Sequence, residues 1–137
     1  MKSSVRHAFY AVIVAVLCMV TSCGTGSNIP EGVYELPADE QLNVNEAPGH
    51  LVIVDFHAEW CQPCKRFTPV FEEAAKTYAG KVQFVSVDVD LHRQLADSLQ
   101  ISSIPAVLFI KPDGQRDWHI GFMPAEEFDS AIRDAIK

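Results

Sequence analysis

"LVIVDFHAEWCQPCKRFTP", Leu51 to Pro69, decides how this 137-residue chain is read. Its first six residues form a nearly continuous apolar run of strand length, which suits a central strand covered on both faces. Its end continues to Gly80, with Phe67, Val70, Phe71, Ala74, Ala75 and Tyr78 on one side at three- and four-residue spacing. That is an amphipathic helix closed by a glycine, and Pro69 predicts a kink in it. Two cysteines, Cys61 and Cys64, stand where strand gives way to helix.

Outward from this unit the pattern stays regular. "VQFVSVDVD" (Val82 to Asp90) predicts a second strand, "HRQLADSLQ" a short helix and "AVLFI" (Ala106 to Ile110) a third strand. "KPDGQ" reads as a hairpin turn on Asp113-Gly114, "RDWHIG" as an edge-like strand, and "PAEEFDSAIRDAIK" as a terminal helix with Pro124 near its start. Before Leu51, "VYEL" suits a short edge strand and "PADEQLNVNEA" a helix starting near Pro37. The order β-α-β-α-β-α-β-β-α predicts an α/β domain over residues 33–137. It has a mixed central β-sheet flanked by helices on both faces.

The first 22 residues are of another kind. Lys2 and Arg6 precede an apolar stretch, Ala8 to Val20, too short for a comfortable membrane span. "VTSC" then ends in Cys23 and resembles a bacterial lipobox. The resemblance implies cleavage before Cys23, its lipidation, and a periplasm-facing anchor in the bacterial envelope. Gly24 after it, in place of aspartate, favours the outer membrane. Residues 24–32 have the composition of a flexible spacer. Without Lys2 and Arg6 the chain carries nine basic and eighteen acidic residues, a net of −9. That excludes the basic footprint of nucleic-acid binding and leaves the lipid as the only membrane contact.

With Cys18 in the removed segment and Cys23 lipidated, Cys61 and Cys64 are the free cysteine chemistry of the domain. At i and i+3 their sulfurs lie on one face, close enough to bond. At the helix N-terminus, unpaired N–H groups and the dipole stabilise a Cys61 thiolate, with Lys65 and Arg66 adding positive charge. Cys61 then attacks a substrate disulfide and Cys64, more buried, resolves the mixed disulfide. Pro63 stiffens the loop. Two other readings stay open. A zinc site needs four ligands, and His50, His57, His92 and His119 lack metal-site spacing. A static staple across four residues removes little chain entropy. Phe56, Phe67, Phe71, Phe84, Phe109 and Phe122 read as core. The sequence holds no phosphate loop and no nucleophilic serine motif.

"VDFHAEWCQPCK" and "SSIPAVLFIKPDG", in this order of elements, resemble the thioredoxin family from about Val33 to Lys137. The resemblance implies the thioredoxin fold, thiol–disulfide exchange and no bound cofactor. It assigns Cys61 as nucleophile, Cys64 as resolving cysteine and Asp55 as a buried proton acceptor beneath them. It places Trp60, Ile104, a cis Pro105 and Gly121 along the substrate groove, Ile104 offering main-chain hydrogen bonds to a substrate strand. Gln62 stands where the family commonly has glycine, and with Pro63 tunes the redox poise. His57 replaces a common tryptophan and brings a titratable ring close to the centre. Ser86 replaces a lysine that usually pairs with the acid, so the Asp55 pKa should rise further. No long insertion follows the cysteine helix, which counts against the cytochrome-maturation subgroup.

The expected protein is a lipid-anchored monomer that reduces disulfide-containing exported proteins, fed by a transmembrane thiol-electron donor. An oxidase or isomerase of exported proteins is the alternative. So is a redox-inert module that holds peptides in the groove near Pro105.

Overall fold

The computed structural model describes residues 29 and 31–137. The signal segment, Cys23 and most of the spacer lie outside the described residues. Five strands and three helices follow in the order β1 (Val33–Glu35), β2 (Leu51–His57), α1 (Gln62–Thr77), β3 (Val82–Asp88), α2 (Arg93–Ser98), β4 (Ala106–Ile110), β5 (Arg116–Ile120) and α3 (Ala125–Ile136). The sheet order is β1-β3-β2-β4-β5. β1 and β2 run parallel to β3, and β4 and β5 are antiparallel to their neighbours. The mixed sheet expected from the sequence is present, with β1 and β5 at its edges.

β2 is central, and its first six residues are buried on both sides. Alternation along the strand sends Leu51 and Ile53 to one face and Val52, Val54 and Phe56 to the other. The first face meets α1 and α3 through Phe67, Phe71, Phe128 and Ile132. The second meets α2 and the segment between β1 and β2 through Leu36, Val44, Leu95 and Leu99. β3 is likewise buried on both faces, which leaves Ser86 enclosed.

Two expectations are corrected. The stretch after Pro37 is not a helix but a series of turns, although it closes the second core face. Glu40 N–H donates to Pro37 C=O, and the Asn43 side chain accepts from Asn45 N–H. Such local Asn bonds compete with helix formation. Leu42 and Val44 are two residues apart, a spacing that suits extended backbone rather than a helix face. The second correction is Phe122, which is half-exposed rather than core. It follows β5 in a loop, and the Arg66 guanidinium lies 5.4 Å from its ring centroid, a cation–π pair at the surface.

Candidate active site

β2 ends at His57, and the chain turns through Ala58 to Trp60 before entering α1. Cys61 is the N-cap of α1, in extended backbone conformation, and its sulfur accepts from Cys64 N–H at 3.3 Å. The turn is closed by Cys61 N–H donating to Ala58 C=O and Lys65 N–H donating to Cys61 C=O. This is the capping role of a serine or aspartate, filled by sulfur, and the same N–H that caps the helix stabilises negative charge on Cys61. The two cysteines are joined by a disulfide with Cα atoms 5.3 Å apart. Cys64 is 1 % exposed and Cys61 4 %.

Pro69 lies inside α1 and has no N–H for the carbonyl four residues before it. Thr68 Oγ1 donates to Cys64 C=O nearby, at 3.1 Å. α1 runs on through Pro69 to Thr77, and Phe67 and Phe71 anchor it to the sheet.

Asp55 stands on β2 beside Ser86 of β3 and Val107 of β4. It shares the α1 face of the strand with Ile53. It is 3 % exposed, and its Oδ1 has no hydrogen-bond partner. A carboxylate stripped of water and left without a donor is disfavoured. Burial pushes the Asp55 pKa up to about 7.

Trp60 is 66 % exposed, and its indole N–H donates to Asp90 Oδ2 at 2.8 Å. Across from it, the Ile104–Pro105 bond is cis, and Ile104 C=O lies 3.7 Å from Cys61 Sγ. Gly121 adopts φ +99°, a conformation that glycine takes without strain, and its N–H donates to Pro105 C=O at 2.8 Å. Trp60, Cys61, Gln62 and Pro63 form one wall of an open groove of about 910 Å³, and Ile101 to Ile104 form the other. His57 falls outside this groove. It lines a second opening, of about 400 Å³, together with Cys64.

Sequence reasoning missed Asp90, Val89 and Ile101. Asp90 closes the alternating run "VSVDVD", but nothing local marks it as a partner of a tryptophan thirty residues earlier. Among the described residues, no three His, Cys, Asp or Glu side chains converge as metal ligands would.

A dithiol–disulfide pair at a helix N-terminus, above a buried acid and beside an open groove, is the apparatus of a thiol–disulfide oxidoreductase. Residues 37–134 match the Thioredoxin family model. The chain is 37 % identical over 82 residues to thioredoxin of Borreliella burgdorferi, covering 60 % of this chain and 70 % of that one. It is 38 % identical over 95 residues to thioredoxin of Mycoplasmoides gallisepticum, covering 69 % and 90 %. A crystal structure of chloroplastic thioredoxin z superposes with a TM-score of 0.69 at 31 % identity, covering 76 % of this chain and 94 % of that one. The chain belongs to the thioredoxin family and has the thioredoxin fold.

Proposed function

We propose that this oxidoreductase works in the reducing direction on disulfides of exported proteins, as a monomer anchored by lipid on Cys23 at the periplasmic side of a bacterial envelope. The observation that carries the reading is the unpartnered carboxyl of Asp55 on the α1 face of the sheet, poised near neutrality to take a proton from Cys64. The export reading draws its support from the apolar leader and the lipobox-like "VTSC".

In the dithiol form, the Cys61 thiolate attacks one sulfur of a substrate disulfide. That bond breaks, the other substrate sulfur leaves, and Cys61 is joined to the substrate. The substrate chain lies in the groove between Trp60 and Ile104, pairing with the Ile104 main chain as an added strand. Cys64 then gives its proton to the Asp55 carboxylate, and its sulfur attacks Cys61 Sγ. The second substrate sulfur leaves as a thiolate, which is protonated afterwards, and the Cys61–Cys64 disulfide remains. Two electrons have passed to the substrate. A transmembrane dithiol donor returns them, because the nicotinamide-driven reductase is cytosolic.

The deciding measurement is the reduction potential of the Cys61–Cys64 pair against a defined thiol buffer. Reference values are about −270 mV for thioredoxin and about −120 mV for a strong oxidant. A potential near the first value is expected. One near the second overturns the reductive direction and makes the protein an oxidase or isomerase. Compartment is read separately by trapping: Cys64→Ser should hold substrates on Cys61 as mixed disulfides. Trapped proteins with export signals are expected, and a cytosolic set overturns the placement.

A further inference from the structure

We propose that His57 is the residue through which this centre exchanges protons with solvent, passing them between the enclosed Cys64–Asp55 pair and water. The inference rests on the exchange chemistry alone and holds for either direction of the cycle.

Each turnover loads and unloads a proton at a place the substrate groove does not reach. The two cysteines open onto different cavities. Cys61 lines the groove beside Trp60 and Ile104. Cys64 lines the second opening, with His57, Ala58, Glu59, Lys65 and Thr68. Asp55 is enclosed on its own face by Ile53 along the strand, Val107 of β4 and Ser86 of β3, all buried. Its Oδ1 has no donor to share a proton with. His57 is two residues further along β2, on the same face, roughly 7 Å away along the backbone. It is half-buried and lines the opening.

The charged groups around His57 leave one candidate. Asp55 precedes it on β2, Glu59 follows in the turn, Lys65 faces the opening from α1, and Asp88 is its register partner on β3. Among carboxylates, an ammonium and an imidazole, the imidazole is the group with two ring nitrogens, one able to accept and the other to donate.

The relay moves no electrons. In resolution, the Cys64 S–H bond breaks and its proton goes to Asp55. The Cys64–Cys61 bond forms as the Cys61–substrate bond breaks. The proton then passes from Asp55 to the His57 ring, directly or through one water in the opening. From the imidazolium it goes to bulk water or to the departing substrate thiolate. Reduction of the disulfide runs the same path inward.

A chromogenic aromatic disulfide tests this on the full-length protein by rapid mixing. Its first thiolate appears when Cys61 attacks and its second when Cys64 resolves. His57→Gln is expected to slow the second release about tenfold at pH 7, less than loss of a directly placed acid–base group, because water still enters the opening. Added imidazole should restore much of the rate. In a Cys64→Ser background, where no proton leaves position 64, the same substitution should change the first release less than twofold. An unchanged second release overturns the proposal. So does equal slowing of both releases without rescue by imidazole, which would mark a structural disturbance. Should His57→Gln fail to fold, ring resonances of the unaltered protein decide. At fixed pH the His57 ring resonances should differ between disulfide and dithiol forms, and identical resonances overturn the relay.

Discussion

The two faces of the sheet are built from different side chains. The face under α1 and α3 is aromatic. Phe67, Phe71, Phe84, Phe109 and Phe128 interlock there, with Phe67–Phe128 and Phe71–Phe84 centroids 5.1 and 5.2 Å apart in edge-to-face arrangement. The opposite face is mainly aliphatic, made of Val52, Val54, Val85, Val87, Leu108 and Ile110, with Phe56 among them. Edge-to-face rings have preferred angles, while aliphatic contacts are nearly direction-free. The aromatic face therefore sets the seat of α1, and with it the position of Cys64 over the sheet. The aliphatic face accepts an irregular covering segment without penalty. The chemistry stands at the end of the face whose packing is angular.

Breaking the aromatic face should cost most. Phe67→Ala, at a fully buried ring one turn beyond Cys64, is expected to lower unfolding stability by about 3–5 kcal/mol. Disulfide exchange should fall with it, and denaturant titration beside a turnover assay checks both. Asp55 comes next. Unfolded, its carboxyl ionises near 3.8; folded, it ionises near about 7. Between these values the unfolded chain has released the proton and the folded chain still holds it. Stability therefore falls as pH rises from about 4 to about 7, by about 4 kcal/mol, and levels off above. Asp55→Asn should remove that slope, as read by urea midpoints at pH 4 and pH 8. It should also slow resolution by Cys64 about a hundredfold.

The aliphatic face should give smaller effects. Leu36→Ala, in the irregular segment, is expected to cost about 2 kcal/mol, the low end for a buried leucine, because the segment can settle into the space. Its exchange rate should stay unchanged. A loss of exchange as large as that of Phe67→Ala would erase the distinction between the faces. Leu91→Ala, 61 % exposed and outside both faces, should shift stability by less than about 0.5 kcal/mol.

Most of the architecture was legible because its cues are local. Leu51–Phe56 is apolar without interruption, α1 has a clear period, and Asp113-Gly114 marks its hairpin. The helix read into Pro37–Ala47 failed because Asn43 and Pro37 accept backbone bonds that a helix would need elsewhere. Just before it, a distant residue holds the chain: His92 Nε2 lies 3.1 Å from Leu36 C=O across the fold. At the centre, Cys61 and Cys64 were legible from their spacing, and Asp55 as a buried acid from the family resemblance. The Trp60–Asp90 bond and the separation of the two cysteines onto two cavities were not. Both depend on how β3 and α1 meet, which no window of sequence contains. Phe122 was misread because an aromatic residue after an edge strand carries the same letter whether it packs inward or lies under an arginine.

One quiet feature has a practical use. β3 begins at the end of the sheet away from the disulfide, where Val82 pairs with Leu51, and Gly80 makes the turn into it from α1. Gly80 has φ +73°, and a Cβ built there would meet nothing within 4 Å. Exposed turns of this kind are where chains accept new ends or inserted modules. The protein has a working end and a handle end. New termini, a reporter domain or a surface linkage placed at Ala79–Lys81 would sit at the opposite end of the sheet from Cys61 and Cys64 and leave the substrate groove clear.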